Sequence, residues 1–196
     1  STATTAARRT IVTRAIIGRG WGQAAQHSQS LQALFMHIPG LKVVMPSTPH
    51  DAKGLLIGAI EDKGPVIILV HRWLYDQTGP VPEDRYRVPI GEAAVVREGT
   101  DVTIVAISYM VVEARKAAEA LQREGIEAEV LDLRTLAPLD RAMVLSSVRK
   151  TGRLVVVDHA WRTCGAAAEI AAIVAEGAFD ALKAPVRRVT LPETPT

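Results

Sequence analysis

The chain has a single cysteine, Cys164, and therefore cannot form an internal disulfide. One free thiol is typical of proteins from reducing compartments. No apolar run approaches the roughly 20 residues that a membrane-spanning helix requires, and no signal-peptide core is present near the first residue. These absences predict a cytoplasmic protein without a membrane partner.

The sequence also lacks a strong charge of either sign. Its 23 Lys and Arg against 21 Asp and Glu leave a net charge of +2, and the basic residues are scattered along the chain. Proteins that bind nucleic acids concentrate such residues in a patch or stripe. With 48% hydrophobic and 22% charged residues the composition is that of a globular protein, and nucleic acid is not an expected partner.

Several common catalytic motifs are missing as well. The stretch GRGWGQAAQHSQS, residues 18–30, spaces its glycines as G-x-G-x-G, which is not the dinucleotide-binding spacing, and no G-K-[ST] follows to form a P-loop. The sequence has no H-x-x-x-H, no Cys/His cluster and no G-x-S-x-G elbow. What remains is a glycine-rich loop at the carboxyl end of a strand, and we expect it to carry His27 to the start of a helix.

Apolar and amphipathic segments alternate along the chain. The strand-like segments are residues 10–16, 41–46, 65–71, 100–108, 126–133, 153–159 and 186–191. The helix-like segments are residues 30–38, 47–62, 110–125, 138–152 and 164–179. This βαβα order predicts an α/β fold with mainly parallel sheets and helices on both faces.

A proline-rich segment, residues 73–87, interrupts this alternation and is typical of a linker. We therefore predict a first unit over residues 11–72 and a second over residues 88–196, with residues 1–10 as a tail or cloning remnant. The first unit contains only about two helices and three strands, too few to cover both faces of a sheet. It is expected to be the rear part of a larger domain.

The order of motifs resembles the β subunit of the 2-oxo acid dehydrogenase decarboxylating component, of the pyruvate or branched-chain type. The resemblance covers about residues 11–192 and rests on QHSQS, PGLKVVMPSTPHDAKGLL, EVLDLRTLAPLD and RLVVVDHAWRTCGAAAEI. That family belongs to the thiamin-diphosphate transketolase superfamily. The resemblance implies the rear part of a pyrimidine-binding domain followed by a complete transketolase C-terminal domain.

The resemblance further implies that the whole protein decarboxylates a 2-oxo acid oxidatively and passes the acyl group to a lipoyl dithiolane. Such enzymes bind thiamin diphosphate with Mg²⁺ in an α2β2 assembly that docks on an acyltransferase core. The Gly-Asp-Gly motif that holds the diphosphate belongs to the α subunit and does not occur here, and the glutamate that activates thiamin lies upstream of the matched region. The chain is expected to be inactive alone. It is also expected to form a homodimer or a larger even assembly, with the helix from Cys164 to Gly177 or the exposed flank of the first unit in its interface.

The same resemblance implies two sites. His27 matches the histidine of the QHSQ motif and is the expected catalytic residue, since imidazole exchanges protons near neutral pH. Main-chain oxygens around AIEDKGP are the expected potassium ligands, from Ile11, Ala59, Ile60, Asp62 and Gly64. Gly64 stands where the family frequently has asparagine, but a carbonyl ligand survives that change. A plain helix end finished by Gly64 and Pro65 is the alternative.

Other interpretations stay open. The polypeptide is alternatively a non-catalytic dimerisation or docking module, or a fragment of a single-chain transketolase or deoxyxylulose-phosphate synthase. The segment HRWLYDQ, residues 71–77, is a candidate to reach the cofactor region. His71, His159 and Arg134, at the ends of strand-like segments, are interpreted as structural.

Overall fold

The computed structural model describes residues 11–19 and 24–194. The strands in this part of the chain are β1 (Val12–Ile17), β2 (Lys42–Val44), β3 (Val66–His71), β4 (Ala94–Arg97), β5 (Val102–Ala106), β6 (Ala128–Asp132), β7 (Thr135–Ala137), β8 (Leu154–Trp161) and β9 (Arg187–Leu191). The helices are α1 (Ala24–His27), α2 (Gln32–Met36), α3 (Pro49–Glu61), α4 (Met110–Arg123), α5 (Arg141–Thr151) and α6 (Ala166–Gly177). No helix among the described residues has the length and apolar character needed to cross a membrane.

The strands form two sheets in which most neighbours run parallel. The first sheet has the order β1-β3-β2-β7, and only its β2–β7 pair is antiparallel. The second sheet has the order β4-β6-β5-β8-β9, and only its β4–β6 pair is antiparallel. The predicted α/β fold with mainly parallel sheets is confirmed.

Three short elements, α1, β4 and β7, lie outside the elements that the sequence predicts. The expectation that His27 starts a helix is wrong, because His27 is the last residue of the single-turn helix α1 and the next helix begins at Gln32. β4 and β7 contain four and three residues, too few to show an alternating pattern. Their strand conformation follows from pairing with β6 and β2, which is a tertiary effect.

The two sheets share one core. β7 follows β6 along the chain, yet it pairs with β2 and so extends the first sheet. The largest cluster of buried side chains likewise joins Val43 and Leu69 of the first sheet to Val105 and Leu131 of the second. The residues at the contact between the sheets are therefore held by continuous apolar packing.

The proline-rich segment is fixed on α3 although residues 75–93 contain no helix or strand. The ring of Tyr86 stacks on His50 with centroids 4.6 Å apart, and its hydroxyl donates to the His50 carbonyl over 2.8 Å. Val88 is buried against Gly54, where an added Cβ would lie 2.5 Å from Val88 Cγ2. Prolines end the regular structure here, and these side chains hold the segment in place.

Candidate active site

His27 lines an open cleft of about 530 Å³ beside the first sheet. Ile17 and Leu69, from β1 and β3, contribute apolar side chains to this cleft, and Gln26 and Gln29 contribute polar ones. The His27 side chain is exposed to solvent. The cleft thus combines an apolar wall with an accessible imidazole, as small-molecule sites do.

The main chain of His27 is held by Arg72, which follows β3 directly. Arg72 is buried, and its Nη2 donates a hydrogen bond to the carbonyl oxygen of His27. Hydrogen bonds from a charged donor are stronger than neutral ones. Tyr75, from the same segment, also lines the cleft. The segment 71–77, which the sequence offered as a candidate, therefore reaches the cleft that contains His27.

The chain after His27 is tied to the second sheet by Gln32 and Asp158. Nε2 of Gln32 donates to Oδ1 of Asp158 over 2.7 Å, and both side chains are buried. Burial raises the pKa of Asp158 to about 7, because it outweighs the lowering effects of the Gln32 amide and the His159 main chain. This pair fixes the first residue of α2 against β8.

His71 and His159 form a second contact between the sheets. Nε2 of the fully buried His71 lies 2.9 Å from Nδ1 of His159, and Nδ1 of His71 accepts from the main-chain N–H of Trp73 over 3.3 Å. Because Nδ1 is an acceptor, Nε2 of His71 carries the proton and donates to His159. Burial, reinforced by His159 and Arg72, lowers the pKa of His71 to about 3, so its ring is neutral near pH 7.

Gly18 occupies the end of β1 against this histidine pair. Its φ of +102° lies in a region that favours glycine, and an added Cβ would lie 2.3 Å from His71 Nε2. The first glycine of the loop is thus required by both backbone conformation and close approach. The other two glycines of the G-x-G-x-G spacing, at positions 20 and 22, lie outside the described residues.

Two further buried aspartates join the sheets on the side of α3. Ser47 donates to Oδ2 of Asp132, and the main-chain N–H of Arg134 donates to Oδ1 of the same residue over 2.9 Å. Nη2 of Arg134 also lies 3.0 Å from Oδ1 of Asp51. Burial raises the pKa of Asp132 to about 6. These contacts are of the kind that the structural interpretation of Arg134 predicts.

The expected potassium ligands lie where α3 ends and β3 begins. The Ile11 carbonyl accepts from the first main-chain N–H of β3 over 2.9 Å, and the Ala59 carbonyl accepts from that of Asp62 over 3.3 Å. The Asp62 carboxylate accepts from Lys42, which lowers its pKa, and from the Gly64 N–H over 2.8 Å. A carbonyl oxygen keeps a second lone pair, so Ile11 and Ala59 retain acceptor capacity for a cation. The ligand set stays a prediction.

The described residues contain no group of three or more His, Cys, Asp or Glu that would hold a metal ion. The sequence also lacks the Gly-Asp-Gly motif expected of a diphosphate-bound Mg²⁺ site. Residues 11–19 and 24–194 therefore do not fit the Mg²⁺–diphosphate part of thiamin diphosphate. What these residues provide is the cleft that contains His27.

A separate groove of about 810 Å³ separates α2 from the start of α6. It is lined by Leu34, which is 63% exposed, and by Ile173 and the exposed Cys164. The groove borders α6, one of the two surfaces that the sequence offers for an interface.

Two family models match the sequence. The model for the transketolase C-terminal domain matches residues 91–196, and the model for the transketolase pyrimidine-binding domain matches residues 2–77. A solved structure described as a split-gene transketolase, an inactive β4 tetramer, is similar with a TM-score of 0.79 and 29% identity, over 93% of this chain and 58% of that chain.

Curated relatives are similar over almost the whole chain. The β subunit of an acetoin:2,6-dichlorophenolindophenol oxidoreductase from Cupriavidus necator is 57% identical over 94% of this chain and 55% of its own length. The pyruvate dehydrogenase E1 β subunit of Bacillus subtilis is 46% identical over 94% of this chain and 57% of its own, and the 2-oxoisovalerate dehydrogenase β subunit of the same organism is 44% identical over the same shares. The chain thus spans little more than half the length of these relatives.

Proposed function

Because the chain belongs to the transketolase family, we propose that it is the rear part of the β subunit of a thiamin-diphosphate-dependent dehydrogenase of the 2-oxo acid type. The whole enzyme would cleave the bond beside the carbonyl of a small 2-oxo compound and pass the acyl group to a lipoyl dithiolane. The observation that carries this proposal is the placement of His27 on an open cleft, with its main chain held by Arg72. The β-subunit relatives support it.

Two substrate classes share this chemistry. A 2-oxo acid such as pyruvate loses CO2 when the bond beside its carbonyl breaks, whereas acetoin loses acetaldehyde. In both cases the two-carbon fragment that remains becomes an acetyl group as the disulfide of the lipoyl dithiolane takes up two electrons. The relatives named for acetoin are 57% and 51% identical to this chain, against 46% for the pyruvate dehydrogenase subunit. These identities favour acetoin as the substrate, with a 2-oxo acid as the second candidate.

In the proposed reaction, residues of this chain transfer protons and hold the proton-transferring group in position. We assign to the His27 imidazole the proton transfers at the substrate oxygen that gains charge and at the dithiolane sulfur, because imidazole both donates and accepts near neutral pH. Arg72 fixes the main chain from which this ring projects. Thiamin diphosphate, when bound, supplies the electron sink for the bond cleavage.

The proposed partners would supply the cofactor ligands and the lipoyl group. An α subunit would supply the Mg²⁺ and diphosphate ligands, and an acyltransferase core would present the lipoyl group. Self-association into a homodimer is supported by the exposed groove between α2 and α6. The similar split-gene transketolase is described as a tetramer of its own β chains. A cytoplasmic location is supported by the single free cysteine.

A potassium ion bound by main-chain oxygens of Ile11, Ala59, Ile60, Asp62 and Gly64 completes the proposal. Its support is the contact that brings Ile11 to the start of β3 and thus beside the end of α3. In crystals of the intact β subunit grown with potassium salts, we expect an anomalous peak among these five residues. Crystals grown with sodium salts are the control and should lack it. Only a water molecule at that position in the potassium crystals would contradict the proposed potassium site.

The experiment that tests the function uses the intact β subunit assembled with its α subunit. We expect it to convert oxidised lipoyl acceptors to acyl-dihydrolipoyl products from a small 2-oxo compound only in the presence of thiamin diphosphate and Mg²⁺, the dithiolane disulfide taking up the two electrons. Acylation without thiamin diphosphate, or none with any such substrate, would contradict the proposal.

A further inference from the structure

Two oxygen atoms of the Gln32–Asp158 pair have no hydrogen-bond partner among the described residues. Nε2 of Gln32 donates one hydrogen bond to Oδ1 of Asp158, and this leaves Oε1 of Gln32 and Oδ2 of Asp158 without partners. The two side chains are only 1% and 2% exposed, so bulk water does not reach these atoms. A buried acceptor without a donor costs free energy, and here two such acceptors belong to one bonded pair.

A proton on Asp158 satisfies both atoms at once. An amide and a carboxyl are planar groups that each carry two polar atoms on one carbon, so two of them facing each other can form two parallel hydrogen bonds. An ionised carboxylate only accepts, whereas a protonated one also donates. A hydroxyl at Oδ2 therefore provides the donor that Oε1 of Gln32 lacks.

We propose that Asp158 is kept in its neutral, protonated form and pairs with Gln32 through two hydrogen bonds, and that this pair positions the segment that carries His27. In one bond Gln32 Nε2 donates to Asp158 Oδ1, and in the other the Asp158 hydroxyl donates to Gln32 Oε1. The pairing rests on the one observed hydrogen bond and on the two buried oxygens that lack partners among the described residues. The positioning role rests on the proposed function, since it concerns the residue assigned to proton transfer.

Asp132 provides a contrast within the same chain. Each of its two oxygens accepts a hydrogen bond, one from Ser47 and one from the Arg134 main chain, which is the pattern of an ionised carboxylate. Asp158 accepts one side-chain hydrogen bond, at Oδ1, and the His159 main chain also acts on it, but Oδ2 has no hydrogen-bond partner among the described residues. Burial also raises the pKa of Asp158 further, to about 7 against about 6 for Asp132.

The surroundings of Asp158 favour the neutral form. No charged side chain among the described residues contributes to the pKa of Asp158, and burial outweighs the lowering effects of the Gln32 amide and the His159 main chain. The titratable side chains near it are His159, next in β8, and His71 of β3, which donates to His159. Burial lowers the pKa of both histidines, and Arg19 contributes to the lowering at His159. Neither ring supplies a positive charge near pH 7.

The pair holds one end of the segment between α1 and α2. Arg72 binds the carbonyl of His27 at the end of α1, and Asp158 binds Gln32 at the start of α2. Ionisation of Asp158 would place a negative oxygen opposite Oε1 of Gln32 and repel it. The position of the His27 main chain therefore depends on the proton of Asp158.

Infrared difference spectra of the intact β subunit test the pairing. At about pH 5.5, well below the raised pKa, the spectrum of wild type minus Asp158→Asn is expected to contain the C=O band of a protonated carboxylic acid. The band should disappear as the pH is raised to about 9. The Asp132→Asn variant is the matched control, and its spectrum should still contain the band that we assign to Asp158. Absence of the band at acidic pH would overturn the pairing.

Unfolding equilibria give a second readout with a definite sign. The folded-state pKa of Asp158 is raised from its ordinary value of 3.8, so its stabilising contribution is complete below that value and is lost as the pH rises to about 7. The unfolding equilibrium constant of wild type, divided by that of Asp158→Asn, should rise about tenfold per pH unit between about pH 5 and 7 and level off above it. A ratio that does not change with pH would contradict a proton on Asp158.

Turnover of the assembled enzyme tests the positioning role. Asp158→Ala should lower kcat on the order of tenfold with the KM for substrate little changed, because the His27 segment is displaced rather than the substrate site. Asp158→Asn should rescue kcat and abolish any loss of activity above pH 7, since an amide forms both hydrogen bonds without a proton. Wild-type kcat in Asp158→Ala would overturn the positioning role. If the infrared band is present but wild type turns over no 2-oxo substrate, the proposed function fails and the pairing stands.

Discussion

Replacing His27 by alanine is expected to lower the turnover of the assembled enzyme by about two to four orders of magnitude, the range that a positioned general acid or base contributes. The His27 side chain is exposed, so its removal leaves no cavity in the core. His27 belongs to no metal-binding group of His, Cys, Asp or Glu among the described residues, so we expect the affinity for thiamin diphosphate to change little. Steady-state kinetics and calorimetry of cofactor binding measure the two quantities.

His37→Ala is the matched control for this substitution. His37 is exposed and directly follows α2. It lines the groove beside α6 and not the cleft that contains His27. Its replacement should leave kcat unchanged. Turnover close to wild type in His27→Ala would end the catalytic interpretation, and an equal loss in both variants would show that the effect is not specific to the His27 imidazole.

Gly18→Ala is expected to destabilise the fold by about 3 kcal/mol, the sum of overpacking and an unfavourable positive φ. The added Cβ would lie 2.3 Å from His71 Nε2, the atom that donates to His159. His71 is fully buried, so it has no free space into which to move. Urea unfolding of the chain measures the change in free energy.

Gly40→Ala separates the two contributions. Gly40 has a φ of +84°, similar in kind to that of Gly18, but no heavy atom lies within 4 Å of its added Cβ. This control should be destabilised by only about 1 kcal/mol, from the backbone alone. Equal destabilisation in both variants would show that contact with His71 is unimportant.

The larger elements of the fold could be predicted from the sequence because their signals are local. The run PVIILVH predicts β3, and the spacing of apolar residues in MVVEARKAAEALQREG predicts α4, which ends at Arg123. Thr48 caps α3 as expected of a threonine before proline, since its hydroxyl accepts from the Asp51 N–H. Periodicity, caps and breakers all act within a few residues, and one sequence is enough to show them.

The contacts that hold the candidate site could not be predicted in the same way. His71 and His159 are 88 positions apart, and Gln32 and Asp158 are 126 apart. No local pattern distinguishes a glutamine that bonds a buried carboxyl from one in solvent. The three-residue strand β7 is a similar case, because its conformation depends on pairing with β2, which is distant from it in the sequence. His27 itself was found through a resemblance in its motif, not through periodicity.

The most direct test of the proposed function is acyl transfer by the intact β subunit assembled with its α subunit. Acetoin, pyruvate and a branched-chain 2-oxo acid would be compared at equal concentration, with and without thiamin diphosphate. The account predicts acyl-dihydrolipoamide only when thiamin diphosphate and Mg²⁺ are present, with the highest kcat/KM for acetoin, the substrate named for the relatives that share 57% and 51% identity. A preference for pyruvate would correct the substrate, whereas no thiamin-dependent acyl transfer from any of the three would contradict the account.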